Sequence, residues 1–599
     1  MRRNIEFIFT SRWIVFVAIC VFGLILRLYR LNYQSLWHDE SFSIIVSDQP
    51  IGLVFERLIS DYVHPPLHYL LLHICFLIPD FGPSGARLIS AISGTASVPV
   101  LYLAGKVFFD NRTASISASI LGVSQLAVMY SQEVRPYAQE MLFSCSTLLF
   151  FGLAIRTYFL KYWWAFVISA LLVLYTHYYS VFLVALLFSW ALFFEKRLSP
   201  IHVLGGAAVV ALVFIPWLAN GVVDAAVNNP KITKVPSYFA VSWTTPFKTL
   251  NQFNNGNLEN VLEEGVPIAY FFGAFLFTTP ALFGLGRQYR YVQTTPRQNA
   301  MIWTTLAVIL YLWCLGTNSG KSGLALSLIP FFRALQILLR SDMPHWAGMS
   351  TSRTAWLIVL VSAVVAAQLV SSPPYIFFVL GLLFGHAVYG ILVRSPISKH
   401  AKKHRIERED QFTYLLALVS IVPTLVPILL GSMGLQYDTR YSLAGLSAYY
   451  LLVARGLSLI NITKWRLILV GLSLGYSVIA LRANYFSPYK ENWRDSLAVL
   501  AKNYRTGDCT VFSPFSTLPD EWSVYRYYLQ QPSLNIIPLR ELDDLVPSCK
   551  RVWVLYYSRV AGFVKIRNEA TLQIVVKSHR ESEYQKFHWI DVGLYEPLN

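Results

Sequence analysis

The chain has 599 residues, of which 55% are hydrophobic and only 14% are charged, and its mean hydropathy is +0.47. Soluble domains carry about a quarter charged residues, so this composition excludes a soluble multi-domain enzyme, a disordered chain and a secreted disulfide scaffold. Basic residues in cytoplasmic loops, facing anionic lipid, account for the net charge of +16, and we expect no nucleic-acid partner. The composition predicts an all-α polytopic membrane protein.

The first apolar segment, Trp13 to Leu28, follows a short basic start. No small-residue cleavage site follows it, so it predicts an uncleaved transmembrane helix rather than a signal peptide. The segment from Pro65 to Pro79 is short and begins with two prolines, which predicts an interfacial or re-entrant segment. About 13–15 transmembrane helices are predicted from the length that a bilayer requires. Besides the first, the candidate segments lie near residues 85–108, 112–130, 137–155, 163–177, 178–194, 200–218, 266–285, 299–316, 323–339, 354–371, 375–393, 412–431, 441–456 and 466–483.

The distribution of basic residues predicts the orientation of these helices. If the N-terminus is cytoplasmic and residues 65–79 do not span, nearly all basic clusters fall in loops on the cytoplasmic side. The opposite loops, 131–136, 219–265 and 432–440, carry few basic residues for their length. This register is the one that the positive-inside rule favours. The exact helix count, especially over 323–393, stays open.

The composition changes after about residue 485. Residues 485–599 are rich in charge and contain short alternating runs such as Arg551 to Tyr557, which predict a small soluble α/β domain outside the cytoplasm. Residues 1–484 form the predicted transmembrane domain. Cys509 and Cys549 fall near the ends of predicted strands and could pair in an oxidising compartment. Sequence separation does not give their Cα distance, so the pairing stays open.

Polar clusters stand at the predicted outer ends of several helices. The first predicted outer loop, about residues 29–84, contains Trp37-His38-Asp39-Glu40-Ser41, where helix capping is as good an explanation as function. Next comes His64-Pro65-Pro66-Leu67-His68, which is weak evidence for a metal site. In Glu133-Val134-Arg135-Pro136-Tyr137 the alternative is a local ion pair of little energetic consequence.

Two further clusters lie later in the chain, around His177 and around Arg440 and Tyr441. In the predicted topology, all five clusters lie on the same, non-cytoplasmic side. Ionisable residues at membrane depth are costly and usually mark function. Their convergence predicts an active site that opens outward.

Several of these motifs resemble a known family. They occur in order as Trp37-His38-Asp39-Glu40-Ser41, His64-Pro65-Pro66-Leu67-His68-Tyr69, Arg87-Leu88-Ile89-Ser90, Tyr130-Ser131-Gln132-Glu133-Val134-Arg135-Pro136-Tyr137 and Thr176-His177-Tyr178. They resemble the bacterial family-39-like glycosyltransferases of the GT-C fold, relatives of protein O-mannosyltransferases and of the lipid A aminoarabinose transferase. The resemblance covers residues 20–220 and is looser around 437–454. It does not extend to residues 230–430 or to the C-terminal domain.

The resemblance implies an inverting transferase that moves a sugar from a polyprenyl-phosphate carrier to an acceptor outside the membrane. The family's catalytic carboxylate matches Asp39, which would take the acceptor proton, and partial burial would raise its pKa. Glu133 matches a second acidic position that orients the acceptor or helps to hold a metal. Arg135 and Arg440 would bind the lipid phosphate, with His64, His177 and Tyr441 beside it, and His38, Glu40 and Tyr137 would play supporting roles.

The cofactor and the acceptor stay open at this point. Some relatives use a divalent ion, so Mg²⁺ or Mn²⁺ could be held by Asp39, Glu40 and Glu133. The chain has no central outer insertion the size of the β-trefoil domain of protein O-mannosyltransferases, which favours a glycan or lipid acceptor over a protein. The alternatives are a transporter or flippase of a lipid-linked sugar, and a polysaccharide ligase or polymerase with a diphosphate-linked donor. The resemblance also implies a bacterial plasma membrane protein.

Overall fold

The computed structural model describes residues 2–61, 64–79, 81–219, 241–242, 244–256, 266–286, 380–382, 384–385, 388–389, 403–433, 435, 437–513, 528, 534–558 and 563–598. In these ranges the chain is a helical integral membrane protein with a small C-terminal sheet domain, as the sequence predicted. The predicted spans at 299–316, 323–339 and 354–371 lie outside the described residues, and the one at 375–393 is described only in fragments.

The first half of the chain contains long helices joined by short turns, except for one long loop. We use first loop for residues 29–81, between the first long helix and the second. The helices are α1 (Arg2–Leu28), α2 (His38–Ser47), α3 (Ile51–Asp61), α4 (Leu67–Phe76), α5 (Gly82–Phe108), α6 (Asn111–Val123), α7 (Gln125–Ser131), α8 (Tyr137–Thr157), α9 (Leu160–Leu174), α10 (Val181–Phe194) and α11 (Pro200–Leu218).

The second half of the membrane part is described in separate segments. Its helices are α12 (Thr245–Asn255), α13 (Val266–Gly273), a π-helical turn (Ala274–Thr278), α14 (Thr279–Gly286), α15 (Lys403–Ser432), a 3₁₀ helix (Thr439–Gly445), α16 (Leu446–Ser458), α17 (Thr463–Ala480) and α18 (Arg482–Phe486). Among the described residues, six helices are long and apolar enough to cross a membrane, or seven if the bent pair α6 and α7 is one span.

Two predicted segments differ from the structure in ways that matter for the site. The span predicted at 112–130 is broken by a bend of 56° between α6 and α7. Ser124 lies at the break with non-helical backbone angles, and its hydroxyl accepts a hydrogen bond from the backbone N–H of Ala127, which caps α7. The span predicted at 441–456 instead begins with the 3₁₀ helix and continues as α16. The bend at Ser124 sets the direction of α7, which leads into the turn with Glu133 and Arg135, and the 3₁₀ helix contains Arg440.

The first loop is folded into the three short helices α2, α3 and α4. The α4 helix, predicted as interfacial or re-entrant, has ten residues. At 1.5 Å per residue it is about 15 Å long, half of what a membrane span needs. Its length therefore agrees with the prediction that this segment does not cross.

The C-terminal domain is the predicted α/β unit. Its elements are α19 (Trp493–Asn503), β1 (Asp508–Ser513), β2 (Asn535–Ile536), α20 (Leu542–Leu545), β3 (Arg551–Tyr557), α21 (Phe563–Val575), β4 (His579–Lys586) and β5 (Ile590–Pro597). The strands form one mixed sheet in the order β2-β1-β3-β5-β4, with β1 parallel to β2 and β3 and with β5 antiparallel to its neighbours. The disulfide that the sequence left open, Cys509–Cys549, is formed.

The domain packs directly against the first loop. Trp493, Phe512 and Trp553 belong to the same buried hydrophobic cluster as Leu36 and Ile44. Between α18 and α19 runs a short extended segment, residues 487–492, which we call the connector. Because both the connector and the domain contact the first loop, the sheet domain is positioned beside the residues described next.

Candidate active site

The site forms where three turns meet at one end of the helices. Asp39 and Glu40 lie in the first turn of α2. Glu133 and Arg135 lie in the turn between α7 and α8, and Arg440 lies at the start of the 3₁₀ helix. These residues come from distant parts of the sequence, and the fold brings them together as predicted.

Asp39 lies between two guanidinium groups. Its Oδ2 is 3.3 Å from Nη1 of Arg440 and 3.7 Å from Nη2 of Arg135. Arg135 also donates a hydrogen bond of 3.0 Å to the backbone carbonyl of Asp39, which fixes the first turn of α2. About 30% of the Asp39 side chain is exposed, whereas Arg135 is buried. Asp39 is therefore the most exposed of these three side chains.

The expectation that burial raises the pKa of Asp39 is wrong in this structure. Burial alone would raise it, but the positive charges of Arg135 and Arg440, helped by His38, outweigh that effect and hold the pKa below its ordinary value. Asp39 is thus ionised at neutral pH. It is ready to accept a proton, but it is a weaker base than an unpaired buried carboxyl.

Arg440 is held by its own turn as well as by Asp39. The side chain of Asp438 accepts hydrogen bonds from the backbone N–H of Arg440 and from its Nη2, the latter at 3.0 Å. Nη1 also donates to the hydroxyl of Tyr137 at 3.3 Å, and the guanidinium lies 5.7 Å from the ring centre of Trp37. These contacts orient a partly buried cation toward Asp39.

The two histidines that the sequence analysis selected, His64 and His177, lie close to the two arginines. Nε2 of His64 accepts a hydrogen bond from Nη2 of Arg135, because a guanidinium can only donate. Burial lowers the pKa of His64 well below its usual value, and Arg135 lowers it further. Burial and the nearby Arg440 lower the pKa of His177 to about 3. Both imidazoles are therefore neutral.

Aromatic rings form one wall of this region. The ring of Tyr441 stacks on Tyr179 with centroids 5.0 Å apart, and it lies 5.7 Å from the ring of His177. Nδ1 of His177 is 3.6 Å from a buried carboxylate oxygen of Glu140, which also accepts a hydrogen bond from Ser180. The sequence analysis did not select Glu140, since it stands in the first turn of an apolar helix.

Glu40 is a buried anchor rather than an exposed ligand. Arg87 donates to both of its oxygens at 2.8 Å, and the backbone N–H of Val134 donates to one of them at 3.0 Å. Burial alone would raise its pKa, but Arg87 and Lys490 outweigh burial and lower it to about 2. Glu40 therefore links α2 to α5 and to the turn that contains Glu133.

Glu133 does not form the local ion pair with Arg135 that was the alternative to function. Its carboxylate is buried and lies 3.3 Å from Nζ of Lys490, a residue of the connector. Burial raises its pKa, although Lys490 opposes this. Arg135 instead pairs with Asp39, so the two residues of this turn serve different partners.

His38 and the connector meet at the start of α2. The backbone N–H of His38 donates to Oε2 of Glu491 at 3.3 Å, so Glu491 satisfies one of the free N–H groups at the helix start. Burial raises the pKa of Glu491 to about 7. Sequence reasoning missed both Lys490 and Glu491. The available signal was a pair of opposite charges directly after the last apolar segment.

The three carboxylates do not fit a divalent metal site in this arrangement. Both oxygens of Glu40 are already hydrogen-bonded to cations, and Asp39 faces two guanidinium groups. A metal ligand set needs oxygens that are free of such partners. In the described part of the chain no group of three or more His, Cys, Asp or Glu could hold a metal ion.

Two guanidinium nitrogens near Asp39 could donate hydrogen bonds to an anion. Nε of Arg135 and Nε of Arg440 are buried and have no hydrogen-bond partner among the described residues. Burying a donor without a partner costs about 1–3 kcal/mol. Two guanidinium groups with spare donors, one of them only partly covered, are the groups that bind phosphate oxygens.

The structural comparison matched the chain to solved structures of two proteins, ArnT and AglB. ArnT from Cupriavidus metallidurans in the apo state is 13% identical, with 98% of each chain covered and a TM-score of 0.39. The same protein bound to undecaprenyl phosphate is 14% identical over the same coverage, with a TM-score of 0.39. The oligosaccharyltransferase AglB from Archaeoglobus fulgidus, in complex with an inhibitory peptide and a dolichol-phosphate, is 11% identical, with 97% of this chain and 74% of AglB covered and a TM-score of 0.43.

At this identity no residue role is transferred from those structures. No curated protein matches the chain. Residues 63–219 match the family described as dolichyl-phosphate-mannose-protein mannosyltransferase. This range contains His64, Glu133, Arg135 and His177 but neither Asp39 nor Arg440, whose placement rests on the geometry above. The resemblance that the motifs indicated is confirmed over these residues.

Proposed function

We propose that the protein is an inverting glycosyltransferase that uses a polyprenyl-phosphate-linked sugar as donor. The acceptor is a glycan, a lipid or a protein on the outer face of the membrane. The observation that carries the proposal is the accessible carboxylate of Asp39 between Arg135 and Arg440. The family match over residues 63–219 supports the class of reaction.

In the proposed reaction, Asp39 removes the proton from the acceptor hydroxyl. The acceptor oxygen forms a bond to C1 of the sugar while the bond between C1 and the phosphate oxygen breaks. The lipid phosphate leaves with the electron pair of that bond, and the guanidinium groups of Arg135 and Arg440 stabilise its charge. Attack from the side opposite the leaving group inverts the configuration at C1.

The low pKa of Asp39 in the free protein fits this cycle. When the donor phosphate binds, its negative charge neutralises much of the field of the two arginines. The pKa of Asp39 then rises, because the cause that lowered it is cancelled while burial remains. Asp39 thus becomes a stronger base when the donor is in place.

The remaining candidate residues have supporting roles in the proposal. Neutral His64 and His177 and the hydroxyl of Tyr441 line the phosphate side, and Tyr137 orients Arg440. We propose that Glu133 orients the acceptor. We further propose a bacterial plasma membrane location, with the N-terminus in the cytoplasm and with the site and the C-terminal domain outside.

The test is turnover of defined donors by purified protein. Polyprenyl phosphates carrying different sugars are incubated with wild-type protein and with Asp39→Asn, and release of free polyprenyl phosphate is measured. General base catalysis is worth about 100- to 10,000-fold, so turnover should fall by at least about 100-fold while donor binding persists. Arg540→Gln, a change at an exposed side chain of the C-terminal domain, is the control.

The other outcomes of this assay distinguish the competing functions. Equal turnover in Asp39→Asn contradicts the role of Asp39. Donor binding without turnover in any acceptor mixture favours the transporter reading, and turnover of diphosphate-linked donors only favours the ligase or polymerase. Repeating the assay with EDTA, Mg²⁺ and Mn²⁺ tests the ion dependence that the sequence left open.

A further inference from the structure

Lys490 is a buried cation between Glu40 and Glu133, although it belongs to the connector of the C-terminal domain. Only 4% of its side chain is exposed. Its Nζ lies 3.0 Å from Oε2 of Glu40 and 3.3 Å from Oε1 of Glu133. Lysine is almost never fully buried without a partner. Here one ammonium group joins two carboxylates that come from different elements.

The connector is tied to the first loop on both sides of Lys490. On one side, the backbone N–H of Tyr489 donates to the side-chain oxygen of Gln34, whose amide nitrogen donates to the carbonyl of Ser487. On the other side, Glu491 accepts from the N–H of His38. The position of Lys490 is therefore set by hydrogen bonds on both sides of it and does not depend on its own ion pairs alone.

The two carboxylates depend on Lys490 to different degrees. Glu40 also has Arg87, which binds both of its oxygens. Among the described residues, Glu133 has no other cation within ion-pair distance than Lys490. Removing one partner of a buried pair leaves an uncompensated charge, which is strongly destabilising. Without Lys490, the buried carboxylate of Glu133 would lose this ion pair, which would destabilise the turn that contains it.

That turn also contains Arg135, which contacts Asp39 through both its carboxylate and its backbone. Arg135 is only two residues from Glu133. A displacement of Glu133 would therefore move Arg135 and, through it, Asp39. We propose that Lys490 is a positioning residue, which holds Glu133 and Glu40 together so that the connector of the C-terminal domain completes the active site.

This inference rests on the proposed function for its kinetic readout but not for its structural one. The structural test is hydrogen–deuterium exchange of the full-length protein in detergent. We compare wild type, Lys490→Met, Lys490→Arg and Lys577→Met. Lys577 is 68% exposed, lies in the same domain and pairs only with exposed Asp543 among the described residues, so its replacement is the matched control.

We expect faster exchange over residues 36–47 and 131–137 in Lys490→Met and wild-type exchange in Lys577→Met. Lys490→Arg keeps the charge and should restore part of the protection. The double variant Lys490→Met/Glu133→Gln removes both buried charges, so exchange over 131–137 should be slower than in Lys490→Met alone. If Lys490→Met alone does not fold, the double variant still tests the inference. Recovery of folded protein when Glu133→Gln is added supports the pairing of Lys490 with Glu133.

The kinetic readout separates positioning from donor binding. Because Lys490 contacts carboxylates and not the phosphate side, kcat should fall by about 100-fold, as for a misplaced reacting group, while the donor KM changes little. Exchange and kcat in Lys490→Met that match those of Lys577→Met overturn the inference. If wild-type protein shows no turnover, the proposed reaction fails, and the exchange result alone decides whether Lys490 holds the site together.

Discussion

Among single residues, Asp39 shows how much neighbouring charge decides what a side chain can do. A carboxyl that is two-thirds covered would usually have a raised pKa, yet two guanidinium groups reverse the direction. Arg440 contributes through charge and through a hydrogen bond of 3.3 Å to Oδ2. The protonation state of the proposed base is therefore controlled by residues that come from other parts of the chain.

Replacement of Arg440 by methionine should move the acidic limb of the pH–rate profile. Since Asp39 has a lowered pKa, wild-type activity that needs ionised Asp39 persists as the pH falls below the ordinary range of an aspartate. Without Arg440, burial is less opposed, the pKa of Asp39 rises, and kcat/KM should fall at a higher pH than in wild type. The measurement is kcat/KM for the donor from pH 3.5 to 8.

Arg440→Lys is the informative companion, because it keeps the charge but loses the planar fork. We expect a smaller shift of the acidic limb and a donor KM raised by about 10-fold, or about 1.4 kcal/mol of lost binding. The exposed pair of Arg540 and Glu541 provides the control Arg540→Met. An acidic limb that stays in place in Arg440→Met would show that Asp39 is not the titrating group.

Asp39, Glu133, Arg135 and Arg440 could be selected from the sequence because charges at the ends of apolar segments stand out. Which of these residues form ion pairs with each other could not be predicted from the sequence. Arg135 is two residues from Glu133, yet it pairs with Asp39, 96 positions away. The packing of α2, α5 and α8 decides which charged side chains form ion pairs. A single sequence without that packing leaves the local pair as an open alternative.

At the level of elements, the turn with Glu133 and Arg135 is positioned by close packing of α5 against α7. Gly94 of α5 lies against Ser131, the last residue of α7, so that a Cβ on Gly94 would be 1.9 Å from the hydroxyl oxygen of Ser131. The same hydroxyl accepts a hydrogen bond of 3.1 Å from the buried guanidinium of Arg27 in α1. Three helices are therefore fixed at one point, directly before the turn.

Gly94→Ala should therefore damage both stability and turnover. Overpacking of a close contact costs about 1–3 kcal/mol, and the displaced end of α7 would move Glu133 and Arg135 with it. Gly205→Ala in α11 is the matched control, since a Cβ there meets nothing within 4 Å. The measurement is the midpoint of thermal unfolding in detergent together with donor turnover.

We expect a lower midpoint and lower turnover in Gly94→Ala and no change in Gly205→Ala. A wild-type midpoint in both would contradict the close packing.

The sequence predicted most of the described spans to within a few residues because hydrophobic length alone decides them. It did not predict the bend at Ser124, since a serine in an apolar helix more often bonds to its own helix. The bend depends on tertiary packing, which a single sequence does not give.

For the whole molecule, the boundary after residue 485 is a change of composition but not a break in function. The sequence predicted a separate soluble domain, and the mixed sheet with its disulfide agrees. The structure adds that Trp493 and Trp553 of this domain share a buried cluster with Leu36 and Ile44 of the first loop. Contacts of this kind depend on tertiary packing, so no pattern along the chain announces them.

The proposed orientation places this domain and the site outside the cytoplasm, because basic residues concentrate in the loops on the other side. It can be tested with single cysteines at two exposed positions, Lys577→Cys in the domain and Lys196→Cys in the loop between α10 and α11. A membrane-impermeant maleimide added to intact spheroplasts should label Lys577→Cys, and it should label Lys196→Cys only after the membrane is permeabilised. Wild-type protein, with Cys20, Cys75, Cys145 and Cys314 in or beside apolar segments, gives the background. The reverse pattern would place the site in the cytoplasm. It would also leave Cys509–Cys549 in a reducing compartment, where such a disulfide rarely persists.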